Sequence, residues 1–392
     1  MQKLDSEFAA RNFSGPIEGL TGLPNVAYVS DRFAAFERDE VLAKTWTCVG
    51  NGSQLKPGGW LHPVDLLGLP LLLVRDRDNT IRVFHNVCSH RGLKLVEEPR
   101  ATNGIITCRY HGWCYGARGD LRRTPHIGGE GVHTDDRFDM SFHGLREIRS
   151  KVFADLIFVN LSGNAPDFET YIKPVTDHWK DIDFNLYQHG GSTSSWRLDL
   201  DCNWKLAQEN HVDGYHLPFV HPGLNSYSPL RNHYPIVING SASGQGSVAQ
   251  AHATKIGDES LPKNPGLGED WQRGKAEFLS VFPNVMIGVQ ADHLWVAYLL
   301  PVTADRTEEY MDLYYVGEGA KDLRYEVQRV NNCDRMLEIF KEDKDVVEGM
   351  QRGRQSPAFQ GGALSPALDQ PAHCFNKWMA ESVQEVLNQS ES

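Results

Sequence analysis

Cys88-Ser89-His90-Arg91-Gly92 and Cys108-Arg109-Tyr110-His111-Gly112-Trp113, with 17 residues between His90 and Cys108, are the stretches on which the reading of this chain turns. Each offers one thiolate and one imidazole, and the two converge if the intervening residues form a β-hairpin. Two cysteines and two histidines from matched loops suit a binuclear iron-sulfur cluster in which the thiolates hold one iron and the imidazoles the other. Replacing thiolates by neutral imidazoles makes such a cluster less negative and raises its potential, so it accepts electrons from an ordinary reductase and passes them on. Two other readings stand beside this one. Buried cysteine is often a small packing group, and Cys2His2 is a common tetrahedral zinc set. Zinc sites more often pair like with like, whereas here each loop contributes one of each. Cys114, just after Trp113, reads as a packed thiol beside the four.

Around these loops, residues 60 to 161 are short apolar runs divided by turn residues, with 71–74, 81–87, 104–107 and 152–161 as the clearest. That pattern predicts a compact all-β segment. Spaced apolar positions at Phe168, Tyr171, Ile172 and Val175 then predict a helix within 167–186, followed by a strand at 196–200. Ser162 to Pro166 marks a domain boundary near residue 165. Further on, strands are expected at 278–289, 293–300 and 309–316, a long helix over 325–349, and a last amphipathic helix opened by Pro371 and reaching about Asn388. Residues 222–275, rich in Gly, Ser, Pro and Asn without a sustained period, predict a functional cover.

A second constellation lies in Asn203 to His221. Glu209, Asp213 and His216 stand at i, i+4 and i+7, which on a continuous helix share one face. Burying that face is costly unless it binds something. His216 and His221 are offset by about 140° on an ideal helix, so both reach one metal only if the helix ends or bends between them. Pro218 supplies such a break. Two histidines and a carboxylate on one face leave positions open for dioxygen and substrate, as in a mononuclear non-heme iron(II) oxygenase. The same charges also fit a structural polar helix.

Composition narrows the class of partner. With 39 Lys+Arg against 51 Asp+Glu the 392-residue chain carries a formal charge of −12, which repels phosphate backbones and anionic membrane surfaces. No apolar run approaches the roughly 20 residues of a membrane span, and residues 1–13 lack the apolar core of a signal peptide. The expected address is cytoplasmic, with no nucleic-acid or membrane partner. Seven cysteines, an odd number thinly spread, are unlike a secreted disulfide framework and invite testing as metal ligands.

C-x-H-R-G with C-x-Y-H-G-W resembles the Rieske 2Fe-2S motif. The resemblance implies that Cys88 and Cys108 hold the buried ferric iron and that His90 and His111 hold the outer, redox-active one. Downstream, D-x-x-H-x-x-x-x-H resembles the catalytic domain of Rieske non-heme iron oxygenases, the aromatic-ring-hydroxylating dioxygenase alpha-subunit family, and the two similarities together cover most of the chain. The implied fold class is α+β: a segment 1–39 packing on the catalytic domain, an all-β Rieske domain at 40–165, and a catalytic domain at 166–392 whose antiparallel sheet is covered by helices. His216 and His221 become iron ligands, with Asp343 as the third and Asp345 and Glu342 as alternatives. Asp213 matches the family's bridging carboxylate, hydrogen-bonded to His216 of its own chain and to His111 of a neighbour, which implies a head-to-tail ring, usually a homotrimer.

The implied activity is that of a terminal oxygenase. An NAD(P)H-dependent reductase, alone or through a ferredoxin, supplies electrons, and O2 is used to hydroxylate, dihydroxylate or oxidatively demethylate a small aromatic compound or quaternary amine. The alternative is a Rieske electron-transfer or regulatory protein without oxygenase activity, against which the intact Asp213, His216 and His221 speak. Pocket walls are expected from Phe219, the 222–275 cover and the 278–300 strands, with Tyr227, Tyr234, Phe282 and Trp295 as aromatic candidates.

Overall fold

The computed structural model describes Phe8, Phe13 and residues 15–238, 240–250 and 260–391. Part of the expected N-terminal segment and part of the expected cover (239 and 251–259) lie outside the described residues. The chain forms two compact units, Lys44–Ala165 and the combination of Met1–Ala43 with Pro166–Ser392.

The Lys44–Ala165 unit is built on a seven-stranded antiparallel sheet in the order Thr47–Asn51, Leu156–Asn160, Glu147–Phe153, Ile81–His85, Leu69–Arg75, Trp60–Leu66, Arg100–Ala101. Leu71 to Val74 are all buried, which makes this central strand a continuous apolar run. A three-stranded sheet, Ile105–Thr107, Cys114–Gly116 and Leu121–Arg123, stands beside it. Leu61, Leu72, Phe84, Val96, Ile106 and Tyr115 form a core into which Cys88 and Cys108 are packed. The segment between the two cysteine loops is not a hairpin. The first loop follows strand Ile81–His85 of the large sheet, and the second is the turn between Ile105–Thr107 and Cys114–Gly116 of the small one. Convergence comes from packing two sheets on one core.

The larger unit carries an eight-stranded antiparallel sheet. Its order runs Tyr187–His189, Arg306–Val316, His293–Thr303, Val285–Val289, Ala276–Val281, Ala242–Ser247, His233–Ile238, with Ser195–Leu200 also pairing on Arg306–Val316. Helix Glu326–Gly353 packs on Ser195–Leu200 and on helix Trp204–Val212, and helix Gln370–Glu391 covers Ala242–Ser247 and His233–Ile238. Two stretches of the expected cover, His233–Ile238 and Ala242–Ser247, are therefore sheet. Ala242–Ser247 reads as a loop because of Gly244 and Gly246, but a Cβ on Gly244 would meet Phe278 O at 1.9 Å and one on Gly246 would meet the Tyr234 ring at 2.2 Å. These glycines mark close approach of neighbouring strands.

Residues 26–41 are short helices seated on Trp204–Val212. Glu37, fully buried, accepts from Trp204 Nε1 at 2.9 Å and pairs with Lys205 Nζ at 2.7 Å. Both partners sit on the first turn of the helix that leads to the histidines, so this buried pair anchors that helix at its start.

Candidate metal centres

The two cysteine loops have the same backbone form. Gly92 N donates to Cys88 O at 3.0 Å and Cys88 N to Leu93 O at 2.8 Å; Gly112 N donates to Cys108 O at 3.0 Å and Cys108 N to Trp113 O at 2.8 Å. Gly92 and Gly112 close the loops at φ 73° and 70°, a left-handed conformation natural to glycine. The spacing of Cys and Gly is thus a geometric requirement. Both thiols are buried, and the Tyr115 hydroxyl accepts from Ser89 N and lies 3.1 Å from Cys88 Sγ. The His90 ring stacks on Trp113 at 4.7 Å and meets His111 edge-on at 4.5 Å.

The chemistry of these donors fits a Cys2His2 cluster. His90 Nδ1 is buried and has no hydrogen-bond partner among the described residues, an orphaned nitrogen that a metal would satisfy. Burial, then the charges of His111 and Arg91, lowers the His90 pKa and keeps it in the neutral form a ligand needs. Burial raises the Cys108 thiol, and its contact with Cys88 adds to this, so bringing both sulfurs together as thiolates calls for positive charge between them. His111 and Tyr110 are exposed and form the outer edge of the site. Cys114 bonds elsewhere, its Sγ 3.2 Å from Gly112 O.

The second constellation departs from a continuous helix. Asn203 caps the start, its side chain accepting from Lys205 N at 3.1 Å, but the helix stops at Val212. Asp213 turns to extended backbone (φ −84°, ψ 117°), and its Oδ1 accepts from Tyr215 N at 2.6 Å. Asp favours this capping turn because its short side chain bonds the backbone two residues on. His216 precedes the short helix Leu217–Val220, and His221 joins it to Pro222–Tyr227. Pro218 and Pro222 therefore sit in the first turns of helices, where a missing N–H costs nothing, and the break lies earlier than Pro218. Glu209 does not share a face with Asp213 and His216. It is turned to Tyr28, whose hydroxyl donates to it at 2.5 Å, and to Arg354 at 3.7 Å.

His216, His221 and Asp343 come together, with one ligand atom from each lying within 4.8 Å of the others. His221 Nε2 is 2.9 Å from Asp343 Oδ1 and 3.2 Å from His216 Nε2, and His216 Nε2 is 3.5 Å from Asp343 Oδ1. Each ring is held from behind by a carboxylate: His216 Nδ1 donates to Asp213 Oδ2 at 3.2 Å and His221 Nδ1 to Glu342 Oε2 at 2.7 Å. Carboxylates only accept, so both Nδ1 atoms carry hydrogen, and each Nε2 is the nitrogen a metal would take in place of the proton it shares with Asp343 Oδ1. Glu342 stands behind His221, and Asp345 lies exposed outside the group. Burial opposes charge on His216, yet its hydrogen bonds to Asp213 and Asp343 lift it to about 9. Burial likewise opposes ionisation of Asp343, and the two histidines outweigh it to hold the carboxyl at about 2. The trio favours positive charge at its centre, which suits a divalent cation.

The triad opens into a cavity of about 100 Å3. Phe278, Met286, Trp295 and Phe340 are among its walls, with Asn210, Gln245 and Gln290 as polar groups. Of the aromatic candidates named from sequence, Trp295 lines it. Phe219 is 78% exposed, Phe282 packs on Phe375 and Trp378, the Tyr234 hydroxyl donates to Glu277, and Tyr227 lies under the Arg335 guanidinium. Phe278, Phe340, His211 and Glu309 escaped the sequence reading. Phe340 had a signal, standing three residues before Asp343 on the same helix. Phe278 and Trp295 meet only through strand register, both paired with Gly288, where a Cβ would lie 2.2 Å from the Trp295 indole.

Two family models match in tandem: "Rieske [2Fe-2S] domain" over residues 45–134 and "Ring hydroxylating alpha subunit (catalytic domain)" over residues 190–385. The chain belongs to the ring-hydroxylating alpha-subunit family of Rieske oxygenases. Among its relatives is the carnitine monooxygenase oxygenase subunit of Acinetobacter pittii, 24% identical over 92% of this chain and 91% of that one. Chloroplastic choline monooxygenase of Arabidopsis thaliana is 26% identical over 96% and 85%. The fold is that of a solved quaternary ammonium Rieske monooxygenase described in terms of carnitine oxidation and inter-subunit electron transfer, with TM-score 0.77 at 22% identity over 94% of this chain and 97% of that one. This Rieske oxygenase is an enzyme that binds a 2Fe-2S cluster and mononuclear iron, and the reading as an electron carrier without oxygenase activity falls. No helix among the described residues is long and apolar enough to cross a membrane.

Proposed function

We propose that this Rieske oxygenase hydroxylates or oxidatively demethylates a small quaternary ammonium compound, with Cys88, His90, Cys108 and His111 holding the cluster and His216, His221 and Asp343 holding the iron. The domain assignment follows: 40–165 for the cluster, 166–392 for catalysis, and 1–39 as a segment on the catalytic domain. The observation that carries the reading is the convergence of His216 Nε2, His221 Nε2 and an Asp343 oxygen in the wall of a cavity also lined by Phe278, Trp295 and Phe340. When bound, the cluster relays electrons singly and the iron activates dioxygen beside the substrate.

The chain's own residues do the rest. Asp213 and Glu342 fix the tautomers of His216 and His221, so that each presents an unprotonated Nε2. Asp343 would offset part of the charge of a metal held by the three side chains. The aromatic walls exclude water and attract a trimethylammonium group through their π faces. Asp213 also serves as the bridge: its side chain is 27% exposed while one oxygen holds His216, and His111 is exposed in the other unit. Electrons would therefore pass from His111 of one chain to His216 of the next in a cytoplasmic homotrimer, fed by an NAD(P)H-dependent reductase directly or through a ferredoxin.

The test is a panel of trimethylammonium compounds, arenes and aryl carboxylates, scored as substrate-stimulated oxygen and NADH consumption with a purified reductase and as product formed. A trimethylammonium compound should give coupled turnover with loss of a methyl group or gain of one hydroxyl. A cis-diol from an arene as the only coupled product would contradict the reading.

A further inference from the structure

One carboxyl in the cavity takes no part in the triad. Glu309 lies on strand Arg306–Val316, where its cross-strand neighbours are Leu198 and Leu299. It is 4% exposed and lines the same cavity as His216, His221 and Asp343. Cross-strand pairs Trp295–Leu313, Ala297–Met311 and Leu299–Glu309 place it on the same face of the sheet as Trp295, with small Ala297 between. Among the described residues its side chain has no hydrogen-bond partner and no cation beside it.

The histidines of the triad are paired with Asp213, Glu342 and Asp343, and among the described residues no further cation in the cavity wall answers Glu309. Lys344 lines the cavity, but its Nζ donates to Asp199 O at 2.7 Å and lies 3.5 Å from Glu348. His211, whose buried Nε2 has no partner among the described residues, is held neutral by burial, with its pKa lowered to about 4. Burial, reinforced by the charge of Asp343, pushes the Glu309 carboxyl up to about 8. A buried carboxyl without a partner is costly, and an apolar residue would fill the place more cheaply. A cation arriving in the cavity would supply the missing counter-charge, and the carboxyl would release its proton to solvent as the cation binds.

We infer that Glu309 is a substrate-recognition residue, the counter-charge by which this cavity selects a cationic head group over a neutral one of the same shape. Aromatic walls alone accept both a trimethylammonium group and its carbon analogue, whereas a carboxylate separates the two by charge. The inference rests on the quaternary ammonium reading above and assigns the group that makes it selective.

The test uses choline and 3,3-dimethylbutan-1-ol, which has carbon in place of the charged nitrogen, titrated calorimetrically into the anaerobic iron-loaded holoenzyme. Wild type should bind choline at least about tenfold more tightly than the alcohol, and Glu309→Gln should lose about tenfold on choline with little change on the alcohol. Cluster spectrum and iron content report whether the variant is intact. Glu309→Met, apolar and of similar length, gives the same comparison if the amide does not fold. A cation preference unchanged in either intact variant overturns the role of Glu309 while leaving the substrate reading in place. Failure of wild type to bind either probe, together with coupled turnover of a neutral substrate, overturns the substrate reading and this inference with it.

Discussion

Glu342 separates a ligand from a residue that positions one. It touches His221 at Nδ1, 2.7 Å away, on the side of the ring opposite Asp343. Its role is to fix the ring and raise the basicity of Nε2, so Glu342→Gln should weaken iron binding about ten- to a hundredfold. Chelator competition on the reduced enzyme measures this, and the cluster spectrum should not move, because none of the four cluster donors is touched. Iron retention equal to wild type would show that the contact is incidental. At the cluster, His90→Ala should remove its visible charge-transfer bands, since Cys114 is committed to Gly112 O and Thr107 and no other donor stands in either loop. A persisting Rieske-type EPR signal in that variant would overturn the ligand set.

Among elements, strand Ala276–Val281 is tied to its neighbours by Glu277, which receives His178 Nε2 at 2.9 Å, Trp179 Nε1 at 2.7 Å, Lys275 Nζ at 2.8 Å and the Tyr234 hydroxyl at 3.2 Å. Burial alone would raise this carboxyl, but the bonds from His178, Lys275 and Trp179 outweigh it and hold it at about 2. A depressed pKa stabilises the fold above the unfolded value of about 4.5, and the contribution is lost as pH falls toward 2, amounting to about 3 kcal/mol. Denaturant midpoints at pH 7 and pH 3 should therefore differ less in Glu277→Gln than in wild type. Equal pH dependence would show that the clasp is not coupled to stability. This clasp was invisible in the sequence because His178 and Trp179 stand about a hundred residues from Glu277. The long apolar strands and the helix carrying Asp343 were legible through periodicity, and the cysteine loops through the one thiolate and one imidazole that each offers. The early stop at Val212 was not, because i, i+4, i+7 spacing looks helical whether or not Asp213 turns to cap its own backbone. Nor was strand Ala242–Ser247, where glycine reports a close neighbour and composition reports only flexibility.

At the scale of the whole molecule, charge is unevenly divided. Residues 44–165 carry 16 Lys+Arg against 12 Asp+Glu, while the rest of the chain carries 23 against 39. Opposite net charges favour head-to-tail contact between the cluster unit of one copy and the catalytic unit of the next. If electrons cross that boundary through Asp213, chains lacking the cluster (Cys108→Ala) co-assembled with chains lacking the iron (His221→Ala) should regain partial activity, and adding Asp213→Asn to the cluster-deficient chains should abolish the rescue. Silent mixed oligomers would place the route within one chain. The central claim, two separable metal centres with Asp343 completing the second, is tested most directly by counting metals. Wild type should hold about three irons and about two acid-labile sulfides per chain. Asp343→Ala should fall to about two irons with the sulfide unchanged and the cluster spectrum intact. Full iron in Asp343→Ala, or parallel loss of iron and sulfide, would contradict the account.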